Sequence, residues 1–252
     1  MLQRFLLWAY RQVQRTGALS TAPGRAALEF AYDIYKARWE ASSVTALKQF
    51  VRPGTCVVDV GANLGFFSRR FAEWVRPGGL VLAIEPEARN FESLTAMLSR
   101  RGLANVEAIR AAAAEASGML KLHVDPCHHA NHRIADAGAE VRSVTLDGIL
   151  AERRWPAVSL VKIDVQGAEE RVLRGASETL RRLHPALFIE VDHSALRAMN
   201  SSAERVLALV ESAGYQIYRS PGHTPPCAIS LQAAIEASES GAYGDFLCLY
   251  QR

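Results

Sequence analysis

The segment Val57-Val58-Asp59-Val60-Gly61-Ala62-Asn63-Leu64-Gly65-Phe66-Phe67 constrains this chain more than any other. A β-branched apolar run stops at two glycines and an asparagine, then resumes with helical character. That pattern predicts a strand, a tight turn and a helix, the opening of a βαβ nucleotide-binding unit. Glycine at 61 and 65 lets the backbone pass close to a ligand with no Cβ in the way. Asn63 tolerates left-handed backbone angles better than most residues. The loop amides are then expected to point toward the bound group.

Asp59 narrows the choice of ligand. Phosphate groups need positive potential, and a carboxylate facing the loop would repel them while attracting a sulfonium or an ammonium. S-adenosyl-L-methionine carries both cations and no phosphate, so the loop favours it over a nicotinamide dinucleotide. The alternative is that Asp59 only caps the helix. Glu85 ends a second strand about twenty residues after Gly65, the spacing at which a carboxylate chelates a ribose diol. It suits either cofactor and makes a chance glycine loop implausible.

Strand and helix patterns alternate from Thr55 onward. Strands are predicted over Cys56–Val60, Leu80–Glu85, Val106–Ala111, Leu160–Val165, Ala186–Val191, Tyr215–Tyr218 and Phe246–Tyr250, with extra strands over Gly118–Val124 and Val141–Leu146. Helices are predicted over Phe66–Val75, Asn90–Arg101, from Asp147, over Gly167–Leu183 and over Ser201–Ala213, the last with Ser201 and Glu204 as a capping box. This alternation implies an α/β fold with a largely parallel sheet covered on both faces and a terminal antiparallel hairpin. Residues 1–50 read as an N-terminal helical cap. Residues 51–252 read as the core, with a Pro/Gly-rich insertion near 220–244 that contains one helix, Leu231–Ala237.

Composition excludes some partners. A net charge of +3, with no basic run beyond Arg100-Arg101, Arg153-Arg154 and Arg181-Arg182, gives no footprint for nucleic acid. The four cysteines form no CxxC, and Cys56 and Cys248 sit in apolar runs, so reduced thiols and a cytoplasmic protein are expected. Phe5-Leu6-Leu7-Trp8-Ala9-Tyr10 is too short to span a bilayer, so no integral membrane association is expected.

Two further groups carry chemistry. Lys162 and Asp164 fall on one side of the fourth core strand by the period of two, and a lysine in a buried strand needs a partner. Asp164 is either a reacting-centre carboxylate (general base, ligand of a divalent cation, or contact for the methionine amine) with Lys162 holding it, or half of a structural ion pair. Glu169 joins that set or complements the next helix dipole. The loop Cys127-His128-His129-Ala130-Asn131-His132-Arg133 holds four side chains able to ligate zinc, but its loop character suits a substrate-facing role better. There a neutral histidine such as His132 accepts a hydroxyl proton. A histidine-rich surface loop is the alternative.

Several motifs together resemble the FkbM-type methyltransferases: Asp59-Val-Gly-Ala-Asn-Leu-Gly65, Ile84-Glu85-Pro86, Thr145-Leu146-Asp147, and Val161-Lys-Ile-Asp-Val-Gln-Gly-Ala-Glu169 with Val172-Leu173-Arg174-Gly175-Ala176. His132-Arg133-Ile134 resembles a stretch in some members, and the likeness covers roughly Val51 to Val191. It implies a class I methyltransferase, a Rossmann-like sandwich with a seven-stranded, mostly parallel sheet and an antiparallel last strand. It also implies O-methylation of a hydroxyl on a sugar (glycan or glycolipid) or a secondary metabolite. Asp59, Gly61, Asn63, Gly65, Phe66, Glu85 and Pro86 are then the cofactor-binding residues, and His132, Asp164 and Lys162 the catalytic ones. Gln166 departs from the glutamate usual in the family. An N-methyltransferase lacks its expected signature after strand four, where this chain reads Asp164-Val-Gln-Gly. A cofactor-binding protein without catalysis is the remaining rival.

Overall fold

The computed structural model describes residues 44, 46–124, 132–219, 227–240 and 244–251. The elements up to the first crossover are β1 (Cys56–Val60), α1 (Phe66–Trp74), β2 (Leu80–Ile84), α2 (Ala88–Arg100) and β3 (Val106–Ile109). Four short strands follow: β4 (Ala112–Ala113), β5 (Gly118–His123), β6 (Arg133–Ile134) and β7 (Ala139–Val144). The chain returns through α3 (Leu146–Glu152), β8 (Val158–Ile163), α4 (Glu169–Arg174), α5 (Ser177–Leu183), β9 (Ala186–Val191) and α6 (His193–Ala198). It ends with α7 (Ala203–Ser212), β10 (Tyr215–Arg219), α8 (Leu231–Ser240) and β11 (Gly244–Tyr250).

The main sheet has seven strands in the order β10-β11-β9-β8-β1-β2-β3. Only β11 runs against its neighbours. Strand order reverses between β2–β1 and β1–β8, so a crevice opens beyond the carboxyl ends of β1 and β8. The strands are apolar on both faces because both are covered. Val58, Val60, Val161, Ile163, Leu187 and Ile189 pack beneath α3–α7. Val57, Val81, Leu160 and Phe188 pack beneath Phe66, Phe67 and Phe71 of α1, with Leu47 sealing the edge. Each such fully buried side chain contributes roughly 1.5–3 kcal/mol.

The extra strands expected near 118–124 and 141–146 form a separate four-stranded sheet, β4-β7-β5-β6. Its inner face is a small cluster of Ala112, Leu122 and Val141, and its outer face carries the exposed Met119. Half-buried alternation is visible in the sequence, but the partners of such strands are not.

Three expectations need correction. The helix expected over Gly167–Leu183 is two helices. The Asp147 amide donates to the Gly175 carbonyl at 3.0 Å, and the Asp147 carboxylate accepts from the amides of Glu178 (3.0 Å) and Thr179 (2.7 Å). Asp147 thereby caps α5 and opens the helix before it. With Thr145 accepting from the Gly148 amide at 2.9 Å, the Thr145-Leu146-Asp147 motif is a pair of helix caps. The cap of α7 is Ser202, whose hydroxyl accepts from the Arg205 amide, while Ser201 donates to Glu170. Helix α6 was not expected. Asp192 nucleates it by accepting the amides of Ser194 and Ala195.

The helices expected before residue 44, the histidine loop from Cys127 to Asn131 and residues 220–226 and 241–243 of the insertion lie outside the described residues, while the helix expected within the insertion is present as α8. Cys56 and Cys248 are buried free thiols. No helix among the described residues is long and apolar enough to cross a membrane.

Candidate active site

The predicted strand–turn–helix is present, but its loop is held differently from the expectation. The amides of Gly61 and Ala62 both donate to the Ile84 carbonyl at 3.0 Å, and the Gly65 amide donates to Ala62 at 2.8 Å. The Asn63 amide donates to Glu85 Oε2 at 2.9 Å. These four amides are engaged by the protein itself and do not point at a ligand. Asn63 takes the left-handed conformation expected of it, with φ +50.

The two glycines also answer to the protein. A Cβ on Gly61 (φ +78) would sit 1.8 Å from the Asp164 carbonyl oxygen. One on Gly65 (φ +86) would meet Met97 and Leu94 side-chain ends at 2.3 and 2.7 Å. Close approach is required, but between backbone segments and core side chains of this chain.

Glu85 clamps two loops. Its other oxygen accepts the Glu87 amide at 3.0 Å, and Glu87 caps α2 by accepting the Asn90 amide at 2.7 Å. Burial pushes the Glu85 carboxyl up to about 7, its amide hydrogen bonds only partly offsetting the loss of water. Pro86, half-buried, lies between these two acids. Phe66 is buried in the α1 cluster, edge-on to Phe67, with the Arg70 guanidinium 3.7 Å above its ring.

Asp59 does not face the loop openly. It is fully buried on the α1 side of β1, where Ser68 Oγ of α1 donates to its Oδ2 at 2.6 Å. Lys162 Nζ lies 3.5 Å from its Oδ1. The same ammonium lies 3.3 Å from Asp164 Oδ2 and 5.0 Å above the Phe67 ring. The sequence joined Lys162 to Asp164; the structure adds Asp59 as a second carboxylate on the same cation. Ser68 was missed because its link to Asp59 crosses a helix turn and a loop, with no local spacing to signal it.

Asp164 is the open member of this group, with 20% of its side chain exposed against 3% for Lys162 and none for Asp59. Glu169 comes back under the turn that follows Asp164, where its Oε1 accepts the amides of Val165 and Gly167 at 3.2 Å. Gln166 sits in that turn at φ +53 and does not cap α4, so the departure from the family's glutamate leaves the turn's own staple intact.

His132 directly precedes β6, the edge strand of the small sheet. His193 follows the carboxyl end of β9, beside β8, and its Nδ1 is buried without a hydrogen-bond partner. Only its place after a strand end could have marked it in the sequence. Among the described residues, no group of three or more His, Cys, Asp or Glu side chains is placed to hold a metal ion.

At the ends of β1 and β8 the two carboxylates of Asp59 and Asp164 outnumber the one ammonium of Lys162, and the amides of Gly61, Ala62, Asn63 and Gly65 are occupied. Excess negative charge and engaged amides suit a cationic ligand and oppose a pyrophosphate.

Comparison with known proteins agrees. The model of the Methyltransferase FkbM domain matches residues 59–217. The 31-O-demethyl-FK506 methyltransferase FkbM of Streptomyces tacrolimicus is 29% identical over an alignment of 162 residues, with coverage of 51% of this chain and 62% of that protein. The chain therefore spans less than two thirds of that relative's length. The crystal structure of the methyltransferase FkbM from Methylobacillus flagellatus KT superposes with a TM-score of 0.50 at 18% identity, over 78% of this chain and 44% of that one. An S-adenosylmethionine-dependent methyltransferase from Aquifex aeolicus superposes with a TM-score of 0.45 at 17% identity, over 82% and 89% of the two chains. The sheet order is that of class I methyltransferases, and with more than half of its length matched, the chain belongs to the FkbM methyltransferase family.

Proposed function

We propose that this protein transfers a methyl group from S-adenosylmethionine to a hydroxyl of a sugar, on a glycan or glycolipid, or of a secondary metabolite. The observation that carries the reading is Asp164: a part-exposed carboxylate beside the switch point, with a buried ammonium 3.3 Å behind it and the glycine loop packed against its backbone. The O-methyl part draws support from the relative whose printed name is 31-O-demethyl-FK506 methyltransferase.

When bound, the cofactor supplies an electrophilic methyl group. The residues around it hold and orient. Glu85 takes the ribose hydroxyls and ties the loop through Asn63, while the 61–65 loop carries the methionine end. An alcohol is a weak nucleophile until its proton leaves, so a base is needed. Asp164 accepts that proton, and Lys162 aims the carboxylate from the strand below. His132, directly before β6 of the small sheet, is the alternative base. Positioning accounts for much of the remaining rate.

Labelled S-adenosylmethionine offered with oligosaccharides, glycolipids and hydroxylated secondary metabolites tests the reading. A methyl ether product that is lost in Asp164→Asn supports it. Transfer to nitrogen alone, or cofactor binding with no transfer to any acceptor, overturns it.

A further inference from the structure

We propose that Glu169 is a positioning residue for methyl transfer: it acts as an uncharged acid that staples the Val165–Gly167 turn, and through that turn holds Asp164 against the cofactor loop. The proposal rests on the methyltransferase reading for its ligand and on geometry for the staple.

The turn does not hold itself. Gln166 and Gly167 are consecutive left-handed residues, at φ +53 and +98, and a side-chain-bearing residue pays for that conformation. Helix α4 has no side-chain cap of the ordinary kind, its N-cap being Ala168. Glu169 Oε1 alone gathers the two amides of Val165 and Gly167.

The turn also connects two parts of the site. The Asp164 amide donates to the Val60 carbonyl at 3.1 Å, and the Asp164 carbonyl fills the space where Gly61 would carry a Cβ. On its other side Gly167 lies against the Ala195 carbonyl of α6, 2.4 Å from where its own Cβ would be. A displaced turn therefore displaces both Asp164 and the glycine loop.

The uncharged state follows from the surroundings. Glu169 is 2% exposed, and its Oε2 is buried with no hydrogen-bond partner. Among the described residues no cation lies within ion-pair distance of it. The β8 end contributes Asp164, a like charge, and Lys162, already shared by Asp59 and Asp164. On α4 itself, Glu170 is taken by Arg174 and Arg205. Helix α6 brings Asp192, His193 and Arg197. An unpaired buried carboxylate is costly, so the acid form is kept up to near-neutral pH. In agreement, burial pushes the Glu169 carboxyl up to about 7, with Asp164 adding to the effect.

The test compares Glu169→Gln and Glu169→Ala with the parent chain. The glutamine oxygen accepts the same two amides and cannot ionise; alanine loses the staple. By calorimetry at pH 6, Glu169→Gln is expected to bind S-adenosylmethionine within about threefold of the parent, and Glu169→Ala about tenfold or more weakly. Thermal melts supply a second arm that needs no ligand. Relative to the parent, Glu169→Gln is expected to gain about 3 °C or more between pH 5.5 and pH 8, where the parent acquires a buried charge. Equal binding by Glu169→Ala and the parent, or a melting difference that is the same at both pH values, overturns the proposal. Failure of the parent itself to bind the cofactor would remove the methyltransferase reading, and the melts would still decide the charge state of Glu169.

Discussion

Asp59 and Lys162 are register partners on adjacent parallel strands, β1 and β8, and their side chains meet at 3.5 Å with neither in contact with bulk water. Lys162 extends the link to Asp164 at the mouth of the crevice. The acid that opens the glycine-loop motif thus serves first as a counter-ion. It sets the cation that in turn aims Asp164.

Removing that cation should therefore cost stability before it costs binding. Lys162→Met leaves Asp59 buried without its counter-ion, and breaking a buried pair from one side costs about 3–5 kcal/mol. Urea melts should show a loss of that size for Lys162→Met, and recovery of much of it in Asp59→Asn/Lys162→Met. Asp59→Ala is likewise expected to destabilise the fold, because it removes one of the two carboxylates on Lys162 and the acceptor of the Ser68 hydroxyl.

The two loop glycines are expected to behave differently. Gly61→Ala drives a Cβ into the Asp164 carbonyl, which is backbone and cannot move aside. Gly65→Ala meets the ends of Met97 and Leu94, which can rotate, though its positive φ still strains it. S-adenosylmethionine titrations and melts should show Gly61→Ala as the more damaging substitution in both readouts.

Stability should fall as the pH rises from acid to neutral. Glu85 and Glu169 are each raised from 4.5 to about 7. Between those values the folded chain holds two protons that the unfolded chain has released. Their stabilising effect is complete below about pH 4.5 and is lost as pH rises through about 7. Each shift corresponds to at most about 3 kcal/mol. Urea melts at pH 5 and pH 8 check this, and Glu85→Gln should remove part of the difference.

Much of this was legible in the sequence because it is local. The β-branched run before Gly61, the helix after Gly65 and the apolar strands at Leu80 and Ala186 declare themselves by period. The pairing of Lys162 with Asp164 followed from the alternation of a strand. Long-range placement was not legible. Nothing near Asp59 announces that Lys162 will stand beside it, since that depends on which strands become neighbours. The break at Gly175 comes from Asp147, far back in the chain. The small sheet needs the partners of β5, and the period of two identifies a face without naming a neighbour. The loop motif pointed to the methyltransferase class, but not by the contacts expected of it: its amides are engaged internally, and its glycines make room for the protein's own backbone and side chains.

The chemistry assigned to Asp164 has a kinetic signature. Asp164→Asn keeps the backbone contacts with Val60 and Gly61 and removes the proton acceptor. With an acceptor in hand, kcat should drop by about 10²–10⁴, while S-adenosylmethionine affinity changes little. A comparable loss in both would make Asp164 a cofactor-binding residue instead.

The central claim is that the crevice between β1 and β8 holds a cationic, phosphate-free cofactor. Calorimetric titration of S-adenosylmethionine into the protein, with NAD as the competitor, tests it most directly. The account predicts saturable one-site binding of S-adenosylmethionine that NAD does not displace. Absence of S-adenosylmethionine binding, or its displacement by NAD, would contradict it.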